Sequence, residues 1–299
     1  MRLSISAFAI KKSLRRSGFG EPIQMIGIML LFTIGVVAFP TRQIVELFYK
    51  GGDEFIFMLA TGVERIVFFS VMLVFMLQFG FHPVCGGRRA IDFLAVVPAL
   101  VIAVNNFPFI SFRSGDCTIT GGAREIALFA VGCVGVGLVE ETAYRGIILP
   151  LTYVAIKKIK PDGKLSFLKK RPVFFSLAIS SALFALSHLV NLFGGNVGGT
   201  FLQVGYTFLI GAMCGIVTVK TGNVFLAALT HTAYNFFGMI VEYCGRGVMW
   251  TLPQTIFTAA VGVCLGGFLL AVAFLTDRKE EDMSSILGGD DLPDFIKTP

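Results

Sequence analysis

An all-α integral membrane protein, a bundle of about eight transmembrane helices, is the fold class this sequence predicts, on three observations. Apolar residues make up 55% of the 299, whereas an ordinary soluble domain holds about 45–50% even when its glycines are counted. Charged residues are 15% of the chain, against about 25% in soluble domains. The apolar material also falls in long blocks. A helix rising about 1.5 Å per residue needs roughly 17–25 apolar residues to cross about 30 Å of hydrocarbon. The same composition excludes intrinsic disorder, which requires low hydrophobicity and high net charge.

Taken in chain order, the first span covers 22–39 and follows a basic start at 1–21. That start imitates a signal peptide, but no small-residue cleavage site follows Phe39, so an uncleaved span is expected. The second span, 55–79, holds Glu64 and Arg65. Adjacent side chains diverge on a helix, so both are expected to pair with other helices. His82, at the span's end beside Pro83, is expected to be solvated. In the third span, 91–110, Asn105-Asn106 before Phe107-Pro108 marks a helix end, because proline disfavours helical backbone in the residue before it. The fourth and fifth spans are 126–151 and 173–193. Glycines between positions 194 and 199 read as a tight external turn, with no phosphate-loop lysine after them. Spans at 200–219, 223–241 and 254–275 complete the membrane domain, 22–275. The polar, acidic tail, 276–299, is expected to be mobile and carries no terminal prenylation box.

Basic residues orient these spans, since Lys and Arg stay on the cytoplasmic side. With the amino terminus inside, 18 of the 25 fall in cytoplasmic segments, including seven between Lys157 and Arg171. Arg42, Lys50, Arg113, Arg124 and Arg246 are external, while Arg65 and Arg145 lie within spans. Both termini are therefore expected in the cytoplasm. The formal charge of +6 reads as topology and contact with the anionic bilayer surface, not as a nucleic-acid footprint. Six scattered cysteines form no zinc-type pair, and Cys117 and Cys244 could join only in an oxidising compartment. Nothing in the chain signals an oligomeric state.

Ionisable groups inside a span cost a few kcal/mol or more, so each is a functional-site hypothesis. The fourth span carries Glu140-Glu141-Thr142-Ala143-Tyr144-Arg145, the fifth Phe184 and His188, the seventh His231 and Asn235. Glu141 and Arg145 are spaced for an ion pair on one helix face. Glu140 points about 100° away and is left as the free carboxylate. His231 and Asn235 share a face, as do Phe184 and His188. A carboxylate, two imidazoles and an amide are what hydrolysis of a carbonyl compound in a bundle core requires: a base for water, a group to hold it, and donors for the oxyanion. The alternative is interhelical glue, but two carboxylates against one guanidinium leave a surplus charge to explain.

These three stretches resemble the three motifs of the CAAX protease and bacteriocin-processing (CPBP) family, intramembrane proteases related to type II CAAX prenyl endopeptidases. Glu-Glu-x-x-x-Arg stands at 140–145, Phe-x-x-x-His at 184–188 and His-x-x-x-Asn at 231–235, in the family's order. The resemblance covers about 126–241 and implies a catalytic cavity within the membrane. It implies that Glu140 and His188 activate water, that His231 and Asn235 form the oxyanion site, and that Glu141, Arg145 and Phe184 support them. The expected substrate is a peptide or lipidated peptide entering sideways from the bilayer into a cavity open to the cytoplasm. Zinc or another divalent ion on Glu140, His188 and His231 is the alternative to glutamate-based hydrolysis. A non-proteolytic scaffold or immunity factor and a proton-coupled transporter are the competing readings.

Overall fold

The computed structural model describes residues 20–51, 54–86, 88–160, 162–194 and 197–276, together with Met283 and Ile286. The basic start up to Arg16, Asn196 in the glycine turn, and the rest of the tail beyond Thr276 lie outside the described residues. The elements are α1 (Gly20–Val37), α2 (Thr41–Phe48), α3 (Glu54–Gln78), a 3₁₀ turn (Ala90–Ala95), α4 (Val96–Asn105), α5 (Phe109–Ser114) and β1 (Cys117–Ile119). Then come α6 (Ala123–Glu141), a π-helical stretch (Thr142–Ile148), α7 (Leu149–Lys157), a 3₁₀ turn (Ser166–Lys170), α8 (Pro172–Ser187) and a 3₁₀ stretch (His188–Gly194). The chain continues through α9 (Val197–Thr221), α10 (Val224–Cys244), β2 (Gly245–Gly247) and α11 (Leu252–Thr276).

Among the described residues, seven helical segments are long and apolar enough to span a membrane. An eighth crossing would be a broken one, since 23–36 and 41–48 meet at 43°. Pro40 accounts for the break by disfavouring helical backbone at Phe39. The protein is a multi-pass integral membrane protein, all-α apart from the short strands. α4 ends at Asn105, where the sequence places a helix end, and α5 restarts after Pro108.

The glycine turn is shorter than expected. α9 begins at Val197, so Gly198 and Gly199 are helical. In a bilayer every backbone N–H needs an internal partner, and that requirement outweighs the roughly 1 kcal/mol by which glycine disfavours helix in water. The paired residues of the second span also differ in detail from expectation. Arg65 Nη1 lies 3.6 Å from its own neighbour Glu64, while each reaches another segment: Arg65 donates to the Val36 carbonyl (2.9 Å), and Thr41 Oγ1 donates to Glu64 (2.6 Å).

α10 is the central element. It packs on α6, α4 and α9 and is pinned at both ends by extended backbone. At its start, Asn223 Oδ1 accepts from the amides of Phe225 (2.9 Å) and Leu226 (3.2 Å), capping the helix. Asn223 also bridges to Val84 in the loop after α3. At its end β2 pairs antiparallel with β1, Cys117 opposite Gly247. Cys117 and Cys244 are free thiols there, buried in one apolar cluster with Cys133 and Phe129. Burial, with the nearby Asp116 carboxylate, raises the Cys117 pKa above its ordinary value. Within the tail, Met283 and Ile286 are buried in the main core cluster, and the Ile286 carbonyl accepts the His82 amide (3.1 Å). Spaced three apart, they share a helix face, an anchored point in a segment that composition alone marks as mobile. The His82 side chain itself is exposed.

The approach of α6 to α10 depends on Gly137. A Cβ there would lie 2.6 Å from Thr232 Oγ1 and 2.8 Å from the Ala228 carbonyl oxygen, whereas one at Gly132 would meet nothing within 4 Å. Gly137→Ala is therefore expected to destabilise the bundle by about 1–3 kcal/mol, the usual cost of overpacking. Gly132→Ala is expected to be neutral or slightly stabilising. Unfolding temperatures of the two variants in detergent check the pair, Gly137→Ala falling and Gly132→Ala not.

Candidate active site

The site is assembled where the α6 ladder changes. Glu140 and Glu141 are the last two α-helical residues, and the next turn is π-helical. Pro150 gives a local cause: in a regular α-helix its ring would clash with the Gly146 carbonyl, and the wider turn ahead relieves that clash. π-Turns leave backbone groups to be rematched, and the Tyr144 carbonyl is matched twice. It accepts the Leu149 amide across the wide turn and the Ser180 hydroxyl from α8 (2.9 Å). The whole stretch from Thr142 to Ile148 is buried.

Glu141 is the fully buried anion of the cluster. Its Oε1 accepts from Arg145 Nη1 (3.0 Å) and from His231 Nδ1–H (2.7 Å). Both donors are buried as well, so the expected Glu141–Arg145 pair is present and a histidine from α10 completes it. Since a carboxylate only accepts, Nδ1 of His231 carries the proton. The other ring nitrogen, Nε2, faces Glu140 Oε2 at 3.7 Å. His231 thus lies between the two carboxylates. That is the physical account of how two adjacent acids coexist in a low-dielectric interior: each has a cation or an imidazole against it.

Phe184 is the packing hub. Its ring meets Tyr144, His188 and His231 edge-on, with centroids 5.0, 4.9 and 5.7 Å away. The Arg145 guanidinium carbon lies over the same ring, 4.5 Å from its centre. Gly211 on α9 leaves room for this stack, because a Cβ there would fall 2.9 Å from Arg145 Nη2 and 3.1 Å from the Phe184 ring.

His188 is oriented by the end of its helix. At Ser187 the backbone tightens, and the His188 amide bonds to Ala185 and Leu186 instead of Phe184. The freed Phe184 carbonyl accepts the Ser187 hydroxyl (2.7 Å) and His188 Nδ1–H (3.0 Å). A neutral His188 therefore presents Nε2 as a lone pair. His188 and Glu140 both line a small pocket, open on one side, with Tyr144, Ser187, Val190, Asn191 and, from α1, Thr33 and Ile34. Irregular backbone at this depth, from His188 to Gly194, is tolerated where it borders a cavity.

The structure therefore brings together Glu140, Glu141, Arg145, Phe184 and His231 by direct contact, and adds His188 across the pocket. Asn235 lies one turn beyond His231 on the same face of α10, half-buried. Among the described residues no three His, Cys, Asp or Glu side chains converge as metal ligands would. Sequence reasoning did not single out Tyr144, Ser187, Asn191, Thr33 or Ile34. Tyr144 was legible, standing four residues after Glu140 and therefore beneath it on the helix; Thr33, one hydroxyl in an apolar span, carries no such signal.

Leaving Glu141 with its remaining partner alone strands charge in the core. Arg145→Leu is expected to cost about 3–5 kcal/mol, whereas the double replacement of Arg145 and Glu141 by leucine costs less than Arg145→Leu alone. Chemical denaturation of the three proteins in one detergent measures the difference.

Comparison with known proteins adds one finding to this geometry. Residues 122–237 match the family model described as type II CAAX prenyl endopeptidase Rce1-like. No match was found among curated proteins or among solved structures. The matched segment runs from the residue capping α6 into α10 and carries Glu140, Glu141, Arg145, Phe184, His188, His231 and Asn235. This match over residues 122–237 supports membership of the CAAX protease family.

Proposed function

We propose that this protein is an intramembrane endopeptidase that hydrolyses a peptide bond close to the bilayer by glutamate chemistry, in a prenylated or bacteriocin-like substrate. The observation that supports the reading most directly is the pairing of Glu140 with His188 across one pocket. Glu140 is only 13% exposed, and His188 is held by its Nδ1–H so that Nε2 is left over. A water molecule between them gives its proton to Glu140 while His188 holds it. Its oxygen bonds to the scissile carbonyl carbon, and the carbonyl electron pair moves onto oxygen. The resemblance to the family's motifs assigns the oxyanion to His231 and Asn235. When the intermediate collapses the C–N bond breaks, and the departing amine takes the proton from Glu140.

The supporting residues act on Glu140 indirectly. Glu141 fixes Arg145 and His231, and His231 in turn faces Glu140. The scheme is written for glutamate chemistry alone, and an ion held by Glu140, His188 and His231 is the alternative to it. Entry is lateral, past Thr33 and Ile34 of α1, which suits a substrate carrying a lipid chain or embedded in the membrane. Both termini and the pocket mouth face the cytoplasm, following the distribution of basic residues.

Cleavage of a quenched peptide panel by purified protein tests this, the panel holding a farnesylated peptide, its unprenylated form and a bacteriocin-leader peptide. Glu140→Ala and His188→Ala are each expected to lower turnover by about 10²–10⁴, the range for general-base catalysis. Equal turnover by all three proteins would end the assignment. A chelator such as 1,10-phenanthroline is expected to leave the wild-type rate unchanged, and loss of activity restored by zinc would replace the glutamate scheme with a metal one.

A further inference from the structure

Three buried polar atoms of the cluster, Glu141 Oε2, Arg145 Nη2 and the Tyr144 hydroxyl, have no hydrogen-bond partner among the described residues, and of the three residues only Tyr144 lines the pocket. Its side chain is 1% exposed and its hydroxyl has no hydrogen-bond partner among the described residues. Ser187 lines the same pocket, and its own hydroxyl donates to the Phe184 carbonyl (2.7 Å). A buried hydroxyl without a partner costs about 1–3 kcal/mol relative to one that is satisfied. The fold nonetheless fixes it closely. The Tyr144 backbone is held by Leu149 and Ser180, and its ring is held against Phe184. Tyr144 stands four residues after Glu140, and both line the same pocket as His188.

The other donors of the cluster are committed or, like Arg145 Nη2 and the Asn235 amide, belong to residues outside the pocket lining. His231 has Nδ1–H on Glu141 and Nε2 toward Glu140, Arg145 donates to Glu141, and neither residue is among those lining the pocket. His188 spends its Nδ1–H on Phe184. Asn191 lines the pocket but donates to Gln203 (2.8 Å). A peptide carbonyl entering between Glu140 and His188 therefore meets one rigid, buried donor that is unspent.

We propose that Tyr144 is a further catalytic residue, its hydroxyl donating a hydrogen bond to the scissile carbonyl oxygen as negative charge develops there. The inference rests on the endopeptidase reading above. As the attacking water oxygen bonds to carbon, the carbonyl electron pair settles on oxygen, and Tyr144 O–H points at that charge without transferring its proton. The donor satisfies its own unmet hydrogen bond in the same event, so the free energy withheld on folding is recovered in the transition state. Tyr144 thus acts beside His231 and Asn235, from the same helix as the base.

Tyr144→Phe removes the hydroxyl and keeps the ring packing. The expected result is a fall in kcat of about 10²–10³, the usual loss when one oxyanion donor is deleted. KM should change little. The unfolding temperature should stay level or rise, because the variant no longer buries an unmatched hydroxyl; a structural hydroxyl would give the opposite sign. A peptide phosphinate, whose anionic oxygen copies the intermediate, should bind Tyr144→Phe more weakly than wild type. An unreactive substrate analogue should bind both alike. Wild type active, Glu140→Ala inactive and Tyr144→Phe at full kcat would overturn this proposal alone. Wild type inert on the whole panel, as inert as Glu140→Ala and His188→Ala, would remove the endopeptidase reading and this proposal with it.

Discussion

Charge compensation around Glu141 is the constraint that organises the molecule. An anion with no exposed surface in a membrane bundle is tolerable only where donors reach it from fixed positions. Here they arrive from two directions, a guanidinium on its own helix and an imidazole from α10. That single oxygen therefore ties α6 to α10, the pair of helices that Gly137 also lets approach closely. Glu140, next in sequence, projects elsewhere and is left to the pocket. One acid is tied into the architecture, and its neighbour is left facing the pocket by the same arrangement.

Phe184 converts the ionic core into a geometry. Four side chains of the candidate site, Tyr144, Arg145, His188 and His231, touch its ring, and its carbonyl accepts from one of them, His188, and from a fifth, Ser187. An aromatic face takes a guanidinium, and an aromatic edge takes another ring, without polar groups of its own to satisfy. Rigid contacts of this kind hold reacting groups within the narrow tolerance that positioning demands. Both irregular turns, the π-helical one after Glu141 and the 3₁₀ one after Ser187, abut this residue.

Much of this was legible in the sequence because oil makes polar residues conspicuous. Glu140, Glu141, Arg145, His188, His231 and Asn235 stand out against apolar neighbours, and helical spacing correctly pairs Glu141 with Arg145. The link from His231 to Glu141 was not legible, since it joins residues ninety positions apart and depends on how α10 rotates against α6. The π-turn was hidden for a related reason. Apolar residues on all sides give no periodicity from which a change of pitch could be read. The glycine run misleads only at its end, where Gly198 and Gly199 join α9 because backbone satisfaction in lipid outweighs turn propensities learned in water. Thr33 and Ile34 are invisible until α1 is placed beside the pocket, an outcome of packing alone.

The π-helical stretch from Thr142 to Ile148 also restricts how this chain can vary. A wide turn holds one residue more than the α ladder on either side of it, so it fixes a count as well as a shape. Exchange of side chains along the stretch leaves the count intact. Loss of any single residue there would let the backbone relax into ordinary pitch and swing α7 by about 100° relative to the paired acids. Substitution and deletion are therefore unequal kinds of change in this segment, because only deletion alters its pitch.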